Sequence, residues 1–102
     1  SHIYYDADSI EQVKELCKRI KEKFDVEIGR FWEKNVGPHP MWSVQISYEA
    51  NKFGRVLPYL MKNRQGLTVF THPVTGDDYL DHTDHAIWMG SMPELKLDIF
   101  EH

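Results

Sequence analysis

The order of apolar and polar positions sketches the chain before any composition is counted. Residues 2–6 (His-Ile-Tyr-Tyr-Asp) are β-formers stopped by an acid, which predicts a short first strand. Asp8 or Ser9 then offers a helix cap, with Glu11 or Gln12 three residues on to complete a capping box. Ile10, Val13, Leu16, Cys17, Ile20 and Phe24 follow in steps of three and four, one buried stripe of a helix. Val26, Ile28 and Arg30 alternate with Glu27, Gly29 and Phe31 and predict a second strand. Trp42, Val44, Ile46 and Tyr48 alternate with Ser43, Gln45 and Ser47, a third strand with one polar face. Phe53, Val56, Leu57, Leu60 and Met61 define a second helix, in which Pro58 should make a kink or occupy the first turn, and which Gly66 should end. Leu67, Val69 and Thr71 alternate with Thr68, Phe70 and His72, a fourth strand. Residues 73–84 read as a polar loop, residues 85–89 as a fifth strand, and the tail with Leu95, Leu97, Ile99 and Phe100 as an edge strand.

The resulting order is β-α-β-β-α-β plus a tail, the ferredoxin-like plan of the α+β class. It predicts an antiparallel sheet with both helices on one face. The other face is left open, or is closed by a second subunit in a dimeric α/β-barrel-like pairing. Residues 1–102 form a single domain, and there is no internal repeat or low-complexity segment.

Composition changes this picture mainly by exclusion. Three Trp, five Tyr and five Phe are too many large apolar groups for a disordered chain. The net charge of −4 argues against nucleic acid, which needs a basic face to displace counterions. Lys14, Lys18, Arg19, Lys21 and Lys23 interleave with Glu11, Glu15 and Glu22 as a solvated helix face. One cysteine, Cys17, rules out an intrachain disulfide, points to a reducing, cytoplasmic compartment, and sits on the apolar stripe as a small core residue. No apolar run approaches the roughly 18 residues that span a bilayer, and no signal-peptide pattern stands at the start.

The candidate chemistry lies in the histidines. If Ile3 packs under the helices, His2 and Tyr4 point to the opposite sheet face, together with Ser43, Gln45, Ser47, Thr68, Phe70 and His72. His2 and His72 are then neighbours. His39 sits in the braced loop Gly37-Pro38-His39-Pro40 and is placed to lean over the same spot, while His82 and His85 follow the next loop, three residues apart. His102 is terminal and has no assigned role. Imidazole binds metals and moves protons near neutrality, and two or three His with open positions suit a catalytic metal such as non-heme Fe(II). Each histidine also has a plain reading as a surface or hydrogen-bonding residue. In the segment from His72 to Asp78, Asp77 either caps a turn or orients His72; residues 81–85 form either a surface turn or an acid–base His beside its orienting Asp. Trp42 and Trp88 are packing residues or platforms for an aromatic substrate, and Arg30 and Arg64 are candidates to grip a substrate carboxylate. Nucleophile-elbow, P-loop, dinucleotide-binding and H-E-x-x-H motifs are absent.

At these positions the sequence resembles the DOPA 4,5-dioxygenase family. The resemblance rests on His2-Ile3-Tyr4-Tyr5-Asp6, Gly37-Pro38-His39-Pro40-Met41, Leu60-Met61-Lys62-Asn63-Arg64, His72-Pro73-Val74-Thr75-Gly76-Asp77 and the run from Asp81 to Gly90, in the family's order along nearly the whole chain. It implies a ferredoxin-like fold paired as a homodimer, dependence on iron, and extradiol cleavage of a catechol such as DOPA with O₂. Under it, His2, His39 and His72 are the expected metal ligands and His82 or His85 the expected base. Zn²⁺ is an alternative occupant, since three His suit it equally. The usual facial triad needs a carboxylate, for which Asp77 and Asp81 both stand in the loop. A competing expectation is a non-catalytic homodimer that binds a metal or a small aromatic ligand. A barrel holding heme through one His would leave the other histidines without a role.

Overall fold

The computed structural model describes residues 1–100; Glu101 and His102, the terminal histidine among them, lie outside the described residues. Its elements are β1 (His2–Tyr5), α1 (Ile10–Lys23), β2 (Glu27–Ile28), β3 (Trp42–Ser47), α2 (Phe53–Asn63), β4 (Thr68–Thr71), α3 (Asp78–Asp81) and β5 (Ile87–Met89). The five strands form one antiparallel sheet in the order β2-β3-β1-β4-β5, so the expected ferredoxin-like core carries one extra strand on the β4 edge.

The period-2 pattern decides which residues face which layer. Ile3 pairs with Val44 and Val69, and Tyr5 with Trp42. These residues, with Ile46, pack against Val13, Leu16, Cys17 and Ile20 of α1 and Val56 and Leu60 of α2. Burial raises the Cys17 thiol to about 12, as the core reading of that residue requires. Tyr5 puts its polar end to use inside this layer, donating to the carbonyls of Trp32 at 2.9 Å and Ser43 at 3.0 Å.

Several local expectations are corrected. The capping box at Asp8 or Ser9 does not form; Asp6 instead takes the amide hydrogens of Asp8 and Ser9 and the Ser9 hydroxyl on its Oδ1. The second strand is two residues long. Gly29 N donates to Gln45 O and Trp32 N to Ser43 O, so three steps on one strand oppose two on the other, a bulge that ends regular pairing. Helix α2 runs through Pro58 in its interior. The donor missing at Pro58 falls on the exposed side of the helix, with Gly54 also exposed. On this helix Val56 and Leu60 are buried, while Phe53 and Met61 are exposed. Within the loop of residues 73–84, Asp77 caps the short helix α3 by accepting from Leu80 N at 3.0 Å. The tail forms no edge strand: Lys96 N donates to Pro38 O, and residues 97–100 make a 3-10 turn.

That path changes the second face of the sheet. His2, Tyr4, Ser43 and Phe70 are buried there, roofed at their centre by the loop carrying His39 and by the α3 segment, with Phe100 of the tail against His82. Truncating Leu60 to Ala at the other layer should cost about 2–5 kcal/mol, since it opens a cavity between α2 and the sheet. Urea unfolding checks this; a loss under about 1 kcal/mol would mean that α2 contributes little to the core.

Candidate functional site

Strand β1 delivers His2 and Tyr4, and β4 delivers Phe70 and, just past its end, His72. His2 lies opposite Phe70, and Phe70 opposite Trp88 of β5. All four clustered imidazoles lie against Phe70: ring centroids stand 5.8 Å away for His2, 6.2 Å for His39, 5.3 Å for His72 and 5.7 Å for His82. Around the cluster, His39 is 4.3 Å from His2, His2 is 5.1 Å from His72, and His72 is 4.2 Å from His82. Trp88 stacks on Phe70 at 4.3 Å and meets Tyr4 edge-on. The floor is therefore aromatic and the working atoms are imidazole nitrogens.

The partners of each ring set its tautomer. His72 donates from Nδ1 to Pro73 O, and His82 from Nδ1 to Asp78 O, both at 2.7 Å. Both therefore keep Nε2 as the lone-pair nitrogen. His2 Nε2 then donates to His72 Nε2 at 3.0 Å. His39 Nδ1 and the Tyr4 hydroxyl share a hydrogen bond of 2.7 Å. Tying one ring nitrogen to a carbonyl or hydroxyl is how proteins orient histidines that bind through the other.

Burial holds three of these rings, His2, His39 and His72, below the ordinary histidine value. It lowers His2 well below the ordinary histidine value, and the fields of His39 and the other neighbouring groups lower it further. Burial, then His82 and His72, lowers His39 to about 4. His72 is lowered by burial, partly offset by its bond to Pro73. The Tyr4 phenol is pushed up by burial.

His85 stands in a different environment. Its Nδ1 donates to Asp81 Oδ1 at 2.9 Å. Asp81 is buried and also accepts from Thr75 N at 2.8 Å and Thr75 Oγ1 at 2.7 Å. Burial alone pushes this carboxyl up, but the bonds from Thr75 and His85 outweigh it and hold it at about 2. His72 and His85 both line a cavity of about 810 Å³ at this end of the sheet.

Of the residues singled out in the sequence, the structure brings together His2, His39, His72 and His82, with Trp88 in the floor. It does not bring Trp42, Arg30 or Arg64 there. Trp42 lies on the helix-covered face against Tyr5. Arg30 lies over the Trp32 ring. Arg64 donates from Nη1 to Leu67 O beside Gly90, where a φ of +87° and a tight Cβ position disfavour a side chain. Asp77 caps α3 and does not orient His72. The sequence assigns no role in the site to Tyr4, Phe70 or Thr75; Asp81, a candidate both for the metal carboxylate and for orienting a histidine, is found orienting His85. The alternation of β1 and β4 does mark the first two by their shared face, but nothing local marks Asp81 as the buried acid.

A metal fits this group in donor chemistry. His2 and His39 are buried and His72 and His82 half-buried, and His39, His72 and His82 each have Nδ1 anchored by a hydrogen bond. Two adjacent nitrogen ligands at about 2.1 Å from one ion stand roughly 3 Å apart, close to the His2–His72 Nε2 separation, so an ion replacing the shared proton would require His2 to carry its proton on Nδ1 instead. Among the described residues no group of three His, Cys, Asp or Glu is arranged, as it stands, to hold an ion. A third donor joins the pair only if a neighbouring ring turns. Asp81 is not free to serve, because Thr75 and His85 occupy both its oxygens.

The depressed values have a consequence for stability. Below about 6.5 the unfolded histidines take up protons that His2, His39 and His72 refuse in the fold. Stability should be full above that pH and fall by roughly 1–3 kcal/mol as pH drops towards 4. Asp81, lowered to about 2, weakens only below this window. Urea midpoints at pH 7.5, 6 and 5 check the slope; a midpoint unchanged down to pH 5 would contradict it.

The model of the "Dopa 4,5-dioxygenase family" matches residues 1–99. An uncharacterised 21.2 kDa protein of Botryotinia fuckeliana is 37% identical over 110 aligned positions, covering 96% of this chain and 60% of that protein. A DOPA 4,5-dioxygenase of Amanita muscaria is 36% identical over 62 positions, covering 61% of this chain and 27% of that protein. The chain thus spans less than two thirds of these curated relatives. The crystal structure of a "putative dioxygenase" from Nostoc punctiforme superposes with a TM-score of 0.82 at 37% identity, covering 95% of this chain and 84% of that one. With the family model matched along nearly its whole length, the chain belongs to the Dopa 4,5-dioxygenase family.

Proposed function

We propose that this protein is an extradiol dioxygenase that opens the ring of a catechol with O₂, using non-heme Fe(II) held by His2, His39 and His72. The observation that supports it most is the cluster of imidazoles packed around the buried Phe70, in a chain of this family. When bound, Fe(II) supplies the Lewis acidity and the oxygen chemistry that side chains lack. The chain's own residues do the rest. Pro73 O fixes the His72 ring, and Tyr4 fixes His39. Phe70 and Trp88 keep water from the floor of the site. The base that takes a catechol proton is His82 or His85. Each donates its Nδ1 proton to a fixed oxygen, so Nε2 is the nitrogen left to accept. For His85 that oxygen belongs to Asp81, which positions the ring.

Pairing as a homodimer belongs to the same proposal, supported by the outer edge of β5, where Ile87 is exposed and no described strand pairs. A second reading, a homodimeric module that binds a metal or small aromatic without turnover, draws on the lack of three donors already arranged for an ion.

Anaerobic loading with Fe(II), followed by catechol and air, separates the two. The enzyme consumes O₂ and yields a yellow ring-opened product; no product from DOPA, caffeate or protocatechuate favours the module. His72→Ala should lose metal and turnover together, and full metal occupancy with full turnover in that variant would remove His72 from the site. Asp81→Asn should lower kcat by about 10- to 100-fold with metal content unchanged and shift the pH profile. An unaltered profile would leave Asp81 a purely structural residue.

A further inference from the structure

His82 and His85 both keep Nε2 free, but their surroundings differ. His82 is packed among rings, with centroids at 4.2 Å for His72, 5.7 Å for Phe70 and 4.5 Å for Phe100. Its Nδ1 bonds to a neutral carbonyl, and it is not among the described residues that line the cavity of about 810 Å³. A proton taken by His82 would set a positive charge against the His72 ring, where a metal cation is proposed to bind. His85 does line that cavity, beside His72, and its side chain is 35% exposed, open to a substrate entering there. Its backbone is fixed, the amide donating to Leu80 O at 3.0 Å, and its Nδ1 donates to a carboxylate, Asp81 Oδ1.

That carboxylate is aimed by a third residue. Thr75 N donates to Asp81 Oδ2 at 2.8 Å and Thr75 Oγ1 to Oδ1 at 2.7 Å. The same hydroxyl accepts from Asp77 N at 3.4 Å, which leaves its own proton for Asp81. Thr75 thus grips both carboxylate oxygens of a side chain that is itself buried. Thr75 is exposed and fills no core position, so packing does not account for the grip. A carboxylate held this way presents Oδ1 to His85 and selects the tautomer with its proton on Nδ1.

We infer that His85, not His82, takes the catechol proton, and that Thr75 is a positioning residue acting through Asp81 on His85. This rests on the catechol reading above and assigns its base. In the step, one catechol O–H bond breaks and its electron pair stays on oxygen. The proton bonds to His85 Nε2, while the Nδ1 proton stays directed at Asp81 Oδ1.

Histidine-selective ¹⁵N NMR tests it on the protein loaded with Zn(II), a redox-silent stand-in for Fe(II), with His82→Gln and His85→Gln spectra for assignment. As DOPA binds, His85 should gain a proton on Nε2 and His82 should not. A gain at His82, or at neither ring, overturns the choice of base. In the metal-free protein His85 should be a single Nδ1–H tautomer. Thr75→Val, which removes the hydroxyl and keeps the shape, should give a mixture, and Thr75→Ser should restore the single form. With Fe(II) loaded, Thr75→Val should lower kcat about tenfold at unchanged KM and metal content. An unchanged tautomer, or an unchanged kcat, overturns the positioning role. If DOPA does not bind, the catechol reading falls and the base with it, and the tautomers alone decide whether Thr75 sets His85.

Discussion

Phe70 sets the terms for the site. It is fully buried on the sheet face away from α1 and α2, and His2, His39, His72 and His82 all pack on it. An imidazolium pressed against apolar carbon, with no free carboxylate beside it, loses its hydration without compensation. His2, His39 and His72 are therefore held below the ordinary histidine range, and neutral imidazoles keep lone pairs. The hydrogen bonds to Pro73 O and Asp78 O then choose which nitrogen of His72 and His82 carries the lone pair. Packing against one phenyl ring is what turns four scattered histidines into a group of donors.

The fold serves that packing through register. Ile3 opposite Val69 and His2 opposite Phe70 follow from one pairing of β1 with β4, and a slip of a single residue would exchange the two faces. The α1 and α2 core under Ile3, Val44 and Val69 thus locks the histidine face from behind. His85 is managed differently. Its carboxylate partner is itself fixed by Thr75, so a charge is present where a proton has to move and absent where a metal is proposed to bind.

Much of this was legible in the chain. The alternation in residues 2–6 and 67–72 gives the faces correctly, so with the ferredoxin-like strand order His2 and His72 emerge as neighbours. The same alternation sets Trp42 with Val44 and Ile46, on the core side where the structure places it; treating it as a substrate platform set that pattern aside. What was not legible depends on contacts between distant segments. The tail becomes a strap because Lys96 finds the Pro38 carbonyl, not because of its own pattern. Asp81 is one of four acids in a short segment, and only the fold selects it for burial beside Thr75 and His85. The aliphatic pattern of α2 likewise could not say that Met61 and Phe53 would remain exposed.

The central claim is that this histidine group holds the metal. The most direct measurement is anomalous diffraction at the iron edge from crystals loaded anaerobically with Fe(II). The account predicts one anomalous peak among the His2, His39 and His72 rings, within bonding distance of their nitrogens. A peak at another place on the molecule, or none at full Fe(II) loading, would contradict it.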